Sequence, residues 1–141
     1  MEKVVALLCL MGLGLCFSLW GAVSVKLMPR TGIDRGQFGT LISLFMGSCL
    51  VLSLVMGVVL DTIGYMPVAV IGFTLTSCSL FLLAFARSFP VVLGTCVLLG
   101  AGAMSLNATG NTLATVVLFD GQNPAAASNL ANVFFGAGIL L

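Results

Sequence analysis

Charged side chains occur only at Glu2, Lys3, Lys26, Arg30, Asp34, Arg35, Asp61, Arg87 and Asp120, and they divide the chain into long uncharged runs. The runs are Val4 to Val25, Gly36 to Leu60, Thr62 to Ala86, Ser88 to Phe119 and Gly121 to Leu141. Most exceed the roughly 20 apolar residues that cross a bilayer as helix. With 60% hydrophobic and 6% charged residues and a mean hydropathy of +1.26, the sequence lies far from the roughly 25% charged content of a soluble domain. The solvent of this fold is lipid. Backbone groups in lipid must be satisfied within the segment, so the reading is all-α integral membrane.

Allowing for polar ends, the spans are expected at 4–26, 38–60, 66–86 and 91–118, with a fifth from 127 to 141. Together they form one partial N-terminal transmembrane domain, 1–141. The connections hold Pro29, "TGIDRG", "DTIGYMP", "RSFP" and "DGQNP", which are turn and helix-start chemistry. The charged start, apolar middle and "AVS" of residues 1–24 also fit a signal peptide, but the apolar run is long for one and further spans follow. "NAT" at Asn107 matches a glycosylation acceptor, and its place inside a span argues against use.

Several function classes fall away on composition. The net charge is +1 with no histidine, which leaves no basic surface for nucleic acid and no imidazole for acid–base or metal work. Cys9, Cys16, Cys49, Cys78 and Cys96 all sit inside apolar runs without CxxC spacing. They read as small hydrophobes rather than metal ligands or a disulfide framework. With no paired carboxylates and no nucleophile beside a base, an enzyme is not expected, nor are a cofactor or a metal.

An internal repeat organises the chain. "TLISLFMGSCLVL" (Thr40 to Leu52) aligns with "NLANVFFGAGILL" (Asn129 to Leu141): Leu41 meets Leu130, Phe45 meets Phe134 and Gly47 meets Gly136, an offset of 89. One residue out of step, Gly12 and Gly14 fall on Gly100 and Gly102. The offset equals three helices, so helices 1–3 recur from helix 4 onward. An odd number of spans per unit gives the copies opposite orientations, as in the inverted repeats of secondary transporters. By the same offset the fifth helix should run beyond Leu141, so the sequence reads as the N-terminal part of a longer protein.

Two asparagines stand inside the fourth run. Asn107, Asn111 and Thr115 are spaced i, i+4, i+8 and form one stripe, with Gly100 and Ala103 extending it. Hydrocarbon cannot satisfy an amide's two donors and two acceptor sites, so these side chains must face protein, water or a ligand. Asn129 and Asn132 share a face on the fifth helix, and Trp20 and Ser24 share one on the first. The competing reading is interhelical glue, in which amides and hydroxyls bond across helix contacts at about 0.6–2 kcal/mol.

The stretch "GVVLDTIGYMP" sets Gly57, Asp61 and Gly64 at the spacing of the GxxxDxxG signature between helices 2 and 3 of the major facilitator superfamily. "GIDRGQFGTLISLFMGSCLVLSLVMG" resembles the usual approach to it. "GAGAMSLNATGNTLATVV" and "NLANVFFGAG" resemble the sugar-transporting fucose-permease branch. The resemblance implies a 12-helix fold with a 3+3 inverted repeat, of which this chain holds four helices and part of the fifth. It implies a multi-pass cell-membrane transporter of a small polar solute, a sugar by preference, working by alternating access with a C-terminal half not contained here. Substrate contacts would come from Asn107, Asn111, Thr115, Trp20, Ser24, Asn129 and Asn132, and gating from Gly57, Asp61 and Gly64.

The chain departs from the signature at Thr62, Tyr65 and Met66, where the family carries basic residues. Asp61 alternatively ends helix 2 and caps the next turn. The resemblance implies a cytoplasmic N-terminus, whereas Lys26, Arg30, Arg35 and Arg87 fall on the opposite side and the positive-inside rule points the other way. No acidic residue lies deep in a span, and Ser105 stands about where the resembled branch can carry a glutamate, so the coupling ion is open. Two other classes fit the hydropathy. A small four-helix multidrug exporter would want an acidic residue in its first helix, and Val4 to Val25 has none. A tetraspan scaffold would leave the repeat and the GxxxDxxG loop without a reason.

Overall fold

The computed structural model describes all 141 residues and has five α-helices, one 3-10 turn (Leu118–Gly121) and no strand: α1 (Glu2–Thr31), α2 (Arg35–Ile63), α3 (Tyr65–Phe85), α4 (Phe89–Val117) and α5 (Pro124–Leu140). Helices α1 to α4 are each long and apolar enough to cross a membrane, and α5 is a shorter apolar helix. At about 1.5 Å per residue even α3, the shortest of the four, covers a hydrocarbon core of about 30 Å.

The helices run past the apolar segments because their ends carry helix-compatible polar residues. α1 continues through Lys26, Pro29 and Arg30 to Thr31, so Pro29, assigned to the connection by its residue type, lies inside the helix. A proline two residues from the end removes one backbone bond and no more. Gly32 stops the helix in the left-handed conformation, φ 69°. α2 then starts on a reciprocal capping box: Gln37 N–H donates to Asp34 Oδ1 at 2.7 Å, and Asp34 N–H donates to Gln37 Oε1 at 3.2 Å. Such a cap contributes about 1 kcal/mol. Only Gly64 separates α2 from α3, and its φ of 85° is a conformation that side chains disfavour. Asn123 caps α5 by accepting from Ala126 N–H at 3.1 Å, with Pro124 at the first helical position.

α4 is the central helix. In its apolar segment 56% of residues are buried, against 11% in α2, and α4 packs on α1, α2 and α3 while α5 packs mainly on α1. Small residues set these contacts. A Cβ on Gly102 would stand 2.8 Å from Thr76 N, and one on Gly110 would stand 2.8 Å from Leu10 Cγ. α1 meets α5 where Gly14 lies on the backbone of Phe135 and Gly138. α4 meets α2 where Gly100 lies near Ser48, Cys49 and the Phe45 carbonyl. At the 89-residue offset Phe45 and Cys49 correspond to Phe134 and Gly138. The α4–α2 crossing therefore repeats the α1–α5 crossing about one helical turn out of step.

α1 has no long neighbour in the place that α3 takes beside α4. An open groove of about 440 Å³ runs there between α1 and α3, lined by Leu19, Val23, Leu27, Leu80 and Leu83 with Lys26 and Arg30 at one end.

Candidate functional site

The α4 amides form one unit. Asn111 Nδ2 donates to Asn107 Oδ1 at 2.6 Å and to the Asn107 backbone carbonyl at 3.1 Å. Asn107 is half-buried and Asn111 exposed, so the pair looks outward from the bundle and no bond from either side chain reaches another helix. Thr115, one turn on, turns its hydroxyl back to the Thr112 carbonyl at 2.8 Å. The rest of the small-residue path serves helix packing, since Ala103 is fully buried and Gly100 is pressed on α2. The stripe is thus packing at one end and open amides at the other.

Contacts fix the depth of each group. α1 and α4 are antiparallel, with Gly110 beside Cys9 and Leu10, and Leu106 beside Gly12. Asn111 is therefore level with Cys9 and Asn107 lies close to the level of Met11. α1 and α5 are parallel, and Gly14 lies beside Gly138. Asn132, six residues before Gly138, shares the depth of Asn111, with Asn129 one turn nearer the membrane edge. Both α5 asparagines are exposed. Four amides thus occupy the half of the bundle that holds the N-terminus.

Trp20 and Ser24 occupy the other half. Trp20 lies eight residues beyond Gly12, about 12 Å farther along α1. It is 5% exposed, with ring centroids 6.2 Å from Phe38 and 5.6 Å from Phe45, and its buried indole N–H has no partner. Ser24 donates to the Gly21 carbonyl at 2.8 Å. The structure brings Asn111 and Asn132 to a common depth, with Asn107 deeper and Asn129 nearer the edge, and separates Trp20 and Ser24 from them.

At the GxxxDxxG stretch, Gly57 has no heavy atom within 4 Å of where a Cβ would stand. Asp61 is exposed, in the last turn of α2. It does not cap α3, whose N-cap position is Gly64 and which has no side-chain cap bond. A carboxylate in the last turn of a helix opposes the macrodipole, so α2 alone gives Asp61 no stabilising role. The ion pair at this end of the bundle is Lys3 with Asp120 at 3.6 Å, both well exposed, worth under about 1 kcal/mol. Asp120 sits in a left-handed turn with Phe119 and Gly121, at φ 54° to 72°.

Three further polar groups lie outside the set of residues that the sequence marks as a site. Ser105, fully buried, donates to Met56 Sδ at 3.2 Å and to the Ala101 carbonyl at 2.8 Å. The hydroxyls of Thr76 and of the fully buried Thr109 have no partner. Serine and threonine are ordinary in spans, so residue type alone does not signal their burial. No three His, Cys, Asp or Glu side chains converge anywhere in the chain. All five cysteines are free, and Cys78 alone is exposed.

Comparison with protein-family profiles, with curated proteins and with solved structures gives no match. The class defined by the fold itself is an all-helical protein with four helices long and apolar enough to span a membrane.

Proposed function

We propose that the chain is part of a secondary transporter of the major facilitator type, which carries a small polar solute, a sugar by preference, across the cell membrane by alternating access. The observation that carries this reading is the Asn107–Asn111 pair: two amides bonded to each other inside the span, in the half of the bundle that holds the N-terminus, on the open side of α4, with no bond to a neighbouring helix. Interhelical glue needs a partner across a helix contact, and here the amides find theirs on their own helix. Their remaining polar atoms cannot be left in hydrocarbon. A watered cavity that admits a hydroxylated solute satisfies them. The matched crossings of α1 on α5 and α4 on α2 support a three-helix repeat. That repeat calls for a further helix against α1, and the groove between α1 and α3 offers it a seat.

Uptake of labelled monosaccharides by cells expressing the complete reading frame tests this. The Asn107→Ala, Asn111→Ala double variant is expected to lose at least about tenfold in uptake of the accepted sugar at unchanged membrane abundance, the equivalent of one lost ligand hydrogen bond or more. Unchanged uptake would return the pair to packing.

The N-terminus is proposed to face the cytoplasm. This orientation follows the resemblance; Lys26, Arg30, Arg35 and Arg87 keep their charge on the opposite side and weigh against it. A membrane-impermeant thiol reagent applied to intact cells should leave Gly121→Cys unlabelled and label Ser88→Cys, in a background where Cys78 is replaced by serine. The reverse pattern would give the orientation to the positive-inside rule.

A further inference from the structure

The amide pair has a fixed polarity. An asparagine side chain carries two N–H donors and two acceptor sites. Asn111 Nδ2 is turned onto Asn107, 2.6 Å from its Oδ1 and 3.1 Å from its backbone carbonyl. Asn111 therefore turns its Oδ1 outward, as an acceptor. Asn107 has its carbonyl oxygen engaged and turns its NH2 outward, as a donor. Four residues apart on one face, the two groups stand about 6 Å apart along the axis before their side chains lean together.

We propose that this pair reads adjacent hydroxyls of a neutral polyol in a set direction: one hydroxyl accepts from Asn107 Nδ2, and its neighbour donates to Asn111 Oδ1. This rests on the transport reading given above and narrows its substrate class. A carboxylate has no proton for Asn111 Oδ1 and is rejected there. An ammonium can donate to Asn111 Oδ1 but has no lone pair for Asn107 Nδ2, so it satisfies one side of the pair and leaves the other unpaired. A pair of neighbouring hydroxyls supplies both roles without charge. A site built to hydrogen-bond a hydroxyl discriminates strongly against the analogue that lacks it, because the protein group is then left unpaired.

The test is competition against uptake of the accepted monosaccharide, in cells expressing the complete reading frame, by its deoxy and deoxyfluoro analogues at each ring position. Carbon-bound fluorine accepts a hydrogen bond and donates none. At one position the fluoro analogue should compete within about threefold of the parent while the deoxy analogue falls by about tenfold. At the neighbouring position both should fall by about tenfold or more. Asn107→Asp keeps the acceptor for Asn111 Nδ2 and removes the outward donor, so it should erase the fluoro-over-deoxy preference at the first position.

If the sugar is transported yet fluoro and deoxy analogues rank alike at every position, or Asn107→Asp preserves the wild-type ranking, the directional reading fails and the transport reading stands. If no monosaccharide enters although the protein reaches the membrane, both fail.

Discussion

Gly138→Leu should detach α5 from α1 and lower the stability of the detergent-solubilised chain by more than about 3 kcal/mol. A Cβ at this position would stand 3.0 Å from the Met11 carbonyl carbon and 3.1 Å from the Gly14 Cα, and closer still to the Met11 oxygen. These neighbours are backbone atoms, so no rotamer change can make room and the helices must separate. Ordinary overpacking costs about 1–3 kcal/mol where side chains can adjust; a backbone obstacle puts this change at or above that range. Transmembrane helices gain most of their association energy from close packing, and small residues permit it. Gly136→Leu is the control. It adds the same side chain to the same helix two residues earlier, where no heavy atom lies within 4 Å, and should change stability by less than about 0.5 kcal/mol. Thermal unfolding followed by circular dichroism reads both variants. Equal effects would mean that α5 does not rest on α1 through this crossing.

The contrast between these glycines marks what a sequence of this kind makes legible. Long apolar helices could be read from hydropathy because lipid would impose one rule on every residue in the run. Which glycines lie at crossings could not: Gly14 and Gly138 touch backbone, whereas Gly47 and Gly136, which the repeat aligns, face open space. Only the packed arrangement separates the two kinds. The i, i+4 spacing of Asn107 and Asn111 placed them on one face, but their mutual bond depends on a choice of rotamer that spacing does not make. Trp20 and Ser24 also share a face by spacing, yet lie at another depth, since depth follows from how α1 slides along α4. Asp61 lies in the last turn of α2, where the local reading puts it, but α3 starts on Gly64 without a side-chain cap bond, so the capping half of that reading is not seen.

Arg30→Gln should destabilise the other end of the bundle by about 2 kcal/mol. The guanidinium donates to the Ala84 carbonyl at 2.8 Å and the Leu83 carbonyl at 2.7 Å. Both belong to the last turn of α3, where carbonyls lack intrahelical partners and the macrodipole is negative. Leu83 O also takes the Ala86 N–H at 3.3 Å, while Ala84 O depends on Arg30 more heavily. Bonds to a charged donor contribute about 1.5–3 kcal/mol each in buried settings, and exposure of Arg30 reduces that sum. Arg30→Lys keeps the charge but not the planar fork that meets two carbonyls together, so it should recover about half. Lys26→Gln removes the same charge one turn earlier, from a side chain that is exposed, and should cost under about 0.5 kcal/mol. If Lys26→Gln and Arg30→Gln destabilise equally, net charge and not capping is responsible. The expected difference also gives α1 a reason to outrun its apolar segment. Four residues beyond Lys26, past Pro29, the helix delivers a guanidinium to the C-terminus of α3, at one end of the α1–α3 groove.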